Sequence, residues 1–498
     1  MTINAGTLLL ANAGALNASG TNTVAFGSGS IGTLSLNGNN ATISNLITSA
    51  TPGSPVVQNA SATAATLTIV NPSNNTFAGV LQDGPGGGAL SIIKDGAGTL
   101  TLSGNNTFSG GMYIKSGTLT LGGNNTLTGG VRIYAGELKL ANTGALNASG
   151  ANGVNFLAPP GGTTGTLTLN GNSVTISSLS GGPQSQGPGA SVVQNANATP
   201  ATLTVNDSDF DVFSGVLSDG VGGGPLSLIK NGSGTLFLKP YQFLSHSTFS
   251  GGVTMNAGFL GLYDAPTFNS SSTLLINGGT LRLNFASGTS TIGSGVTASI
   301  HGSGLLELAG FASNLSFGAN RVNILNISLG APGSAGVLVS GTNQIVGGID
   351  GSGNTQVNSG NDLTANHIVQ NALVIGGTVG SPALVTIGAS DASGSPLGSE
   401  LGTGDSGLGI GSSVAGSGVG PMALDSSLIN PQAGAASLSA AIDLTDGDLT
   451  GSATSGEIAG GSGSAVPEPS ASILLGLACL FIALAVWRRR VAARLVFG

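Results

Sequence analysis

The chain is 498 residues long and holds 87 glycines, yet only 6% of its residues are charged and 4% are aromatic. A soluble globule carries about 25% charged residues, so Ser, Thr, Asn and Gly must cover this surface instead. The 12 basic residues face 20 acidic ones, which excludes a phosphate-backbone binder, and the single cysteine, Cys479, excludes a disulfide framework.

The N-terminal stretch Ile3-Asn-Ala-Gly-Thr-Leu-Leu-Leu10 aligns with Ile114-Lys-Ser-Gly-Thr-Leu-Thr-Leu121, so the chain opens inside a repeat unit. No basic and apolar leader precedes it. The expectation is a missing N-terminal portion or a misassigned start.

A large repeat spans the first half. Gly14-Ala-Leu-Asn-Ala-Ser-Gly20 returns as Gly144–Gly150, Val56-Val-Gln-Asn-Ala60 as Val192–Ala196, and Leu90-Ser-Ile-Ile-Lys94 as Leu226-Ser-Leu-Ile-Lys230. The offset is 130 for the first pair and 136 for the other two. Insertions at Pro159-Pro-Gly-Gly162 and Gly181-Gly-Pro183 account for the drift, because coils tolerate insertions at corners and not in strands.

Inside it lies a shorter period. Gly98-Thr-Leu-Thr-Leu102 recurs as Gly117-Thr-Leu-Thr-Leu121 and Gly136-Glu-Leu-Lys-Leu140, and Asn105-Asn-Thr-Phe-Ser-Gly-Gly111 as Asn124-Asn-Thr-Leu-Thr-Gly-Gly130, always 19 residues on. A period near twenty marks a solenoid, whose single coil cannot bury its apolar side alone. Apolar and polar residues alternate in Thr118-Leu-Thr-Leu121, Met112-Tyr-Ile-Lys115 and Val131-Arg-Ile-Tyr134, which predicts strands. Gly-Gly and Asn-Asn pairs mark the corners, where positive φ is needed. Stacking then puts leucine over leucine inside and threonine or asparagine ladders outside. The expected fold is all-β, a parallel β-helix.

Gly96 to Gly111, Gly-Ala-Gly-Thr-Leu-Thr-Leu-Ser-Gly-Asn-Asn-Thr-Phe-Ser-Gly-Gly, resembles the autotransporter-associated β-strand repeat of bacterial surface proteins. The resemblance covers Leu90–Leu140 and returns at Leu226–Leu238 with Thr248–Leu260. It implies an extracellular, right-handed β-helical stalk or passenger without catalytic residues.

From Phe259 to Gln344 the repeats decay, but a strand-glycine rhythm persists at Thr273–Ile276, Thr280–Leu283, Gly304–Leu308 and Val322–Leu325. The solenoid is therefore expected over 1–344, with terminal coils or a cap over 345–389. Residues 390–465 have the Gly, Ser and Ala composition of a flexible spacer, with a short helix at Ala435–Ile442 as its one candidate element.

Residues 466–498 change character. Val466-Pro-Glu-Pro469 precedes an uncharged apolar run, Ala471 to Trp487, and then Arg488-Arg-Arg490. Roughly 17–25 residues span a bilayer, so 471–487 is a transmembrane helix candidate, and the arginines after it place the C-terminus in the cytoplasm. The order of parts resembles the PEP-CTERM sorting signal of Gram-negative bacteria. That resemblance implies recognition of Pro467, Glu468 and Pro469 by an exosortase, a membrane transpeptidase, with Arg488, Arg489 and Arg490 closing the signal. It also implies a membrane precursor delivered to the cell envelope or surface, and a link with extracellular polysaccharide and glycosylation.

β-Helices also host polysaccharide lyases and hydrolases, whose chemistry rests on paired acids. Asp207-Ser-Asp-Phe-Asp211 is the best candidate for a Ca²⁺ site or an acid–base pair. Its counterparts one large repeat earlier are Asn71, Ser73 and Asn75, no basic residue is close in sequence, and a solvated turn is expected. Asp350-Gly-Ser-Gly-Asn354 begins like a calcium loop but lacks the acid at its twelfth position. His246, His301 and His367 lack metal-ligand spacing, and no Gly-x-Ser-x-Gly elbow sits beside a His and Asp pair. The reading is a non-catalytic surface or matrix stalk, adhesin-like, without cofactor or metal. The alternative is a membrane-anchored protein that binds or degrades polysaccharide. A sugar groove needs clustered Trp and Tyr, and the one Trp lies at the membrane end.

Overall fold

The computed structural model describes residues 1–387 apart from 17–21, 147–148, 150–151, 158–164, 183–190, 241–246, 264–267, 269–271, 285–295, 311–314, 317–322, 329–335, 343 and 379–380. The spacer expected at 390–465 and the tail expected at 466–498 lie outside the described residues. The described strands form a parallel β-solenoid, and the single antiparallel pair is Gly377–Thr378 with Ser381–Pro382. Among the described residues no helix is long and apolar enough to cross a membrane.

The chain winds around three sides. Thr33–Ser35, Ala41–Ile43 and Asn45–Thr48 make one round; Val56–Gln58, Ala65–Ile69 and Asn75–Phe77 make the next. The second side grows into a sheet of fifteen strands, from Ala41–Ile43 to Ala372–Ile375. Strands lie about 4.8 Å apart in such a stack.

Alternation sets what is inside. Leu100, Leu119 and Leu138 pair in register, as do Leu102, Leu121 and Leu140, and all six are fully buried. The intervening Thr99, Thr101, Thr118 and Thr120 are half-buried on the outer face. Gly117 and Gly136 turn the corner before these strands with φ of 64° and 85°, and a Cβ on either would strike a main-chain oxygen of the coil below.

The strand-poor side of the 19-residue coils corrects one expectation. Asn106 and Asn125, the second residue of each Asn-Asn pair, point inward and are buried. Asn106 Oδ1 accepts from Leu81 N at 3.0 Å, and Asn125 Nδ2 donates to Gly122 O and Ala145 O at 2.9 and 2.8 Å. These side chains satisfy main-chain groups that a strand would have paired. An outer asparagine ladder does exist elsewhere, running Asn277 to Asn256 to Asn231 to Asn206 at 2.8–2.9 Å per step.

The two copies of the large repeat occupy different sides. Leu90–Lys94 lies in the fifteen-stranded sheet, whereas its counterpart Leu226–Asn231 lies in the nine-stranded one. Thr99–Leu102 belongs to the seven-stranded sheet, and its counterpart Thr235–Leu238 to the fifteen-stranded sheet. The repeat therefore does not contain a whole number of turns. Local packing survives the shift: the buried ring pairs Phe26–Phe77 and Phe156–Phe213 are 5.5 and 5.2 Å apart, tilted by 49° and 50°.

The decayed segment still builds rungs, at Thr273–Ile276, Thr280–Leu283, Leu305–Leu308 and Asn323–Asn326.

Candidate functional site

Pro467, Glu468, Pro469, Arg488, Arg489 and Arg490 lie outside the described residues, as do residues 471–487. Within the solenoid two groupings carry chemistry, one buried and one on the outer face.

The buried grouping overturns the expectation of a solvated turn. Asp207 follows the strand Ala201–Asn206 and points inward with a side chain 1% exposed. Lys230 sits on the adjacent rung, opposite Val205, with a fully buried side chain. Its Nζ lies 2.5 Å from Asp207 Oδ1 and donates to Asn231 O, Gly232 O and Gly234 O at 2.8, 3.1 and 3.1 Å. A basic residue is thus adjacent in space that was distant in sequence. Burial raises the Asp207 carboxyl above its usual range, against the hydrogen bond and charge of Lys230. Asp211 is raised too, first by burial and then by the Asp207 charge, whereas Asp209 is exposed.

The first copy of the repeat has the lysine without the acids. Lys94 is fully buried and donates to Gly96 O at 2.7 Å and Ser116 O at 3.0 Å. Burial lowers its pKa to about 8, partly offset by the charge of Asp95. At the place of Asp207 stands Asn71, whose Nδ2 donates to Ser73 O at 2.9 Å. At the place of Asp211 stands Asn75, which donates to Asn45 Oδ1 at 2.6 Å.

The outer grouping is a row of rings across successive rungs of the fifteen-stranded sheet. Phe237 meets Phe210, Phe259 and Tyr263 edge-on, with centroids 5.2, 5.7 and 5.2 Å away. Phe210 is 64% exposed. Arg282 Cζ lies 5.2 Å from the Phe259 centroid and Lys239 Nζ 5.5 Å from that of Tyr263. Glu307 grips Arg282 through two bonds of 2.8 and 3.0 Å and accepts a third from Ser340 Oγ at 2.7 Å. Those two bonds raise the guanidinium above its ordinary value, ahead of the opposing effect of burial. In the first copy the outward positions matching Phe237 and Phe259 are Thr101 and Thr118.

The remaining candidates hold no ligand geometry. His367 Nε2 lies 3.1 Å from both oxygens of Asp350, so the first residue of the calcium-like loop faces an imidazole. His301 is half-buried and His246 lies outside the described residues. Among the described residues no three His, Cys, Asp or Glu side chains gather to hold a metal.

Comparison with protein families adds one result. Three stretches match the passenger-associated-transport-repeat: residues 92–119, 116–140 and 228–262. The matches fall on the 19-residue coils and on the rungs that carry Lys230, Phe237 and Phe259. Repeats of this kind and a parallel β-solenoid fit a surface, passenger-like β-helical protein. A search of the curated proteins gives no match, and neither does a search of the solved structures.

Proposed function

We propose that the chain is a non-catalytic β-helical stalk of a bacterial cell surface or extracellular matrix, adhesin-like and sorted through its C-terminal tail. The observation that carries the reading is the fifteen-stranded parallel sheet, built on a core that admits leucine, isoleucine, valine and phenylalanine column by column. Such a stack is a stiff spacer whose outer face can vary without disturbing its core. The tail supplies the address: Pro467-Glu468-Pro469 outside the bilayer, residues 471–487 within it, and Arg488 to Arg490 on the cytoplasmic side. An exosortase-type transpeptidase then removes the helix. Mass spectrometry of the mature C-terminus, combined with cell fractionation, tests this. Loss of 471–498 with protein in the outer envelope or matrix is expected. An intact tail in a host possessing the transpeptidase reduces the tail to a plain membrane anchor, and protein confined to the cytoplasm overturns the surface assignment.

A second reading, polysaccharide binding, is favoured by the outer row Phe210, Phe237, Phe259 and Tyr263. Adjacent rungs present exposed ring surface beside two cations, and aromatic faces with polar neighbours suit a chain of sugar rings. A Phe210→Asn, Phe237→Thr, Phe259→Thr variant restores the polar outer residues of the first copy, Asn74, Thr101 and Thr118, and keeps the core intact. It should lose retention on immobilised extracellular polysaccharide in affinity electrophoresis. Unchanged retention, or none by the parent protein, removes the reading.

A further inference from the structure

We propose that Asp207 and Lys230 form an intramolecular amide cross-link, Lys230 Nζ to Asp207 Cγ, which covalently joins two successive coils.

The geometry brings the two groups together before any reaction. Val205 and Lys230 are paired across adjacent rungs, and Asp207 turns back into the core two residues beyond Val205, so Oδ1 and Nζ meet at 2.5 Å. Neither side chain is more than 1% exposed. Reaction begins with one proton passing from Nζ to the carboxyl across this contact, which removes two buried charges at once. The neutral amine is then a nucleophile and the neutral carboxyl an electrophile. Water, which would compete for the carbonyl, is kept out, since both side chains are closed off from solvent.

The step balances without any further reagent. The Nζ lone pair attacks Asp207 Cγ and forms the C–N bond; the tetrahedral carbon expels one carboxyl oxygen as water, and the nitrogen keeps one hydrogen as an amide. An ammonium and a carboxylate thus become an amide and one water. Asp211 supplies the acid. Its Oδ2 is shut off from solvent and has no hydrogen-bond partner, and neither has Asp207 Oδ2. Burial first, and then the Asp207 charge, favour its protonated form.

The first copy of the repeat is the internal control. It keeps the buried lysine but has Asn71 and Asn75 where the second has Asp207 and Asp211, so both acids stand in the same copy. Asn71 Nδ2 is engaged by Ser73 O, and Lys94 Nζ by Gly96 O and Ser116 O. No cross-link is expected there. A buried Lys–Asp pair without reaction gains little over an apolar pair of the same size. The cross-link gives the arrangement a use: it resists mechanical and proteolytic opening of a stack otherwise held by noncovalent rungs.

Peptide mapping of the full-length protein by mass spectrometry, after complete denaturation and digestion with trypsin and then with chymotrypsin, which cuts after Phe210 and Phe213 between the two residues, tests the proposal. The expected result is a branched peptide joining the segments around Asp207 and Lys230, lighter by one water than their sum and uncut at Lys230, while Lys94 is cut normally. Linear peptides with free Lys230 and Asp207 throughout overturn it. For Asp211, the Asp211→Asn variant should lose most of the branched peptide and Asp211→Glu should restore it. Full cross-linking in the folded Asn variant removes Asp211 from the mechanism.

Discussion

Asn125 Oδ1 accepts two hydrogen bonds from one residue of the coil below, from the main-chain N of Asn106 at 2.8 Å and from its Nδ2 at 2.9 Å. One side-chain amide thus satisfies its neighbour's backbone and side chain while its own Nδ2 binds two carbonyls. On a side of the coil without a strand, this pair does the work of a ladder.

Asn125→Ala should therefore cost more than an ordinary polar truncation. It strands the Asn106 N–H and the carbonyls of Gly122 and Ala145 in the core, and each unsatisfied buried group costs about 1–3 kcal/mol. Urea unfolding should show a loss of about 3 kcal/mol or more. Asn124→Ala, one residue earlier and exposed, should change little.

Lys94 predicts a rise in stability under alkaline conditions. Its amine ordinarily titrates at 10.5 and in the folded chain at about 8. Between these values the unfolded chain holds the proton and the folded chain does not, so folding is favoured as pH increases. Below about pH 8 the burial penalty is fully present, and above about 10.5 it has gone. The urea midpoint should climb across that window, and Lys94→Met should flatten the climb.

Leu119 sits in the middle of a leucine column and is fully buried. Leu119→Ala should cost about 2–5 kcal/mol through lost burial and the cavity left behind. Leu119→Asp should cost more, because the carboxylate has no partner there. Circular dichroism during thermal unfolding separates the two by their transition midpoints.

Ala60 and Ala196 are equivalent across the large repeat, and both hold positive φ, 60° and 55°. A left-handed alanine costs about 1–2 kcal/mol, and glycine recovers that minus about 0.5–1 kcal/mol of extra unfolded-state freedom. Ala60→Gly and Ala196→Gly should each stabilise by about 0.5–1 kcal/mol, additively, as read by denaturant midpoint.

The strands were legible because their information is local. In Thr118-Leu-Thr-Leu121 a period of two states which side chains face inward, and the 19-residue recurrence states what stacks on what. Asn125 was not legible in this way: its inward aim depends on an orphaned N–H that exists only after coils stack. Lys230 and Asp207 were hidden for a related reason. Lys230 follows Leu226 and Leu228 in the inward phase, but its charge speaks for an outward position, and the partner that settles it comes from the neighbouring coil. The outer aromatics had a usable signal. Phe237 occupies the outward slot of Thr235-Leu-Phe-Leu238, and Phe259 that of the next strand, so aligning the rungs would have put them side by side.

The large repeat returns one side round rather than directly above itself, and this governs how duplication displays novelty. A motif copied once more along this axis would not extend a stripe down one side. Three successive copies would face three directions before the fourth fell into line with the first. The aromatic row of the second copy and the threonine row of the first accordingly look outward on different bearings. A flat partner laid against the stalk can touch one of them, whereas a mesh of polymer surrounding it can reach both.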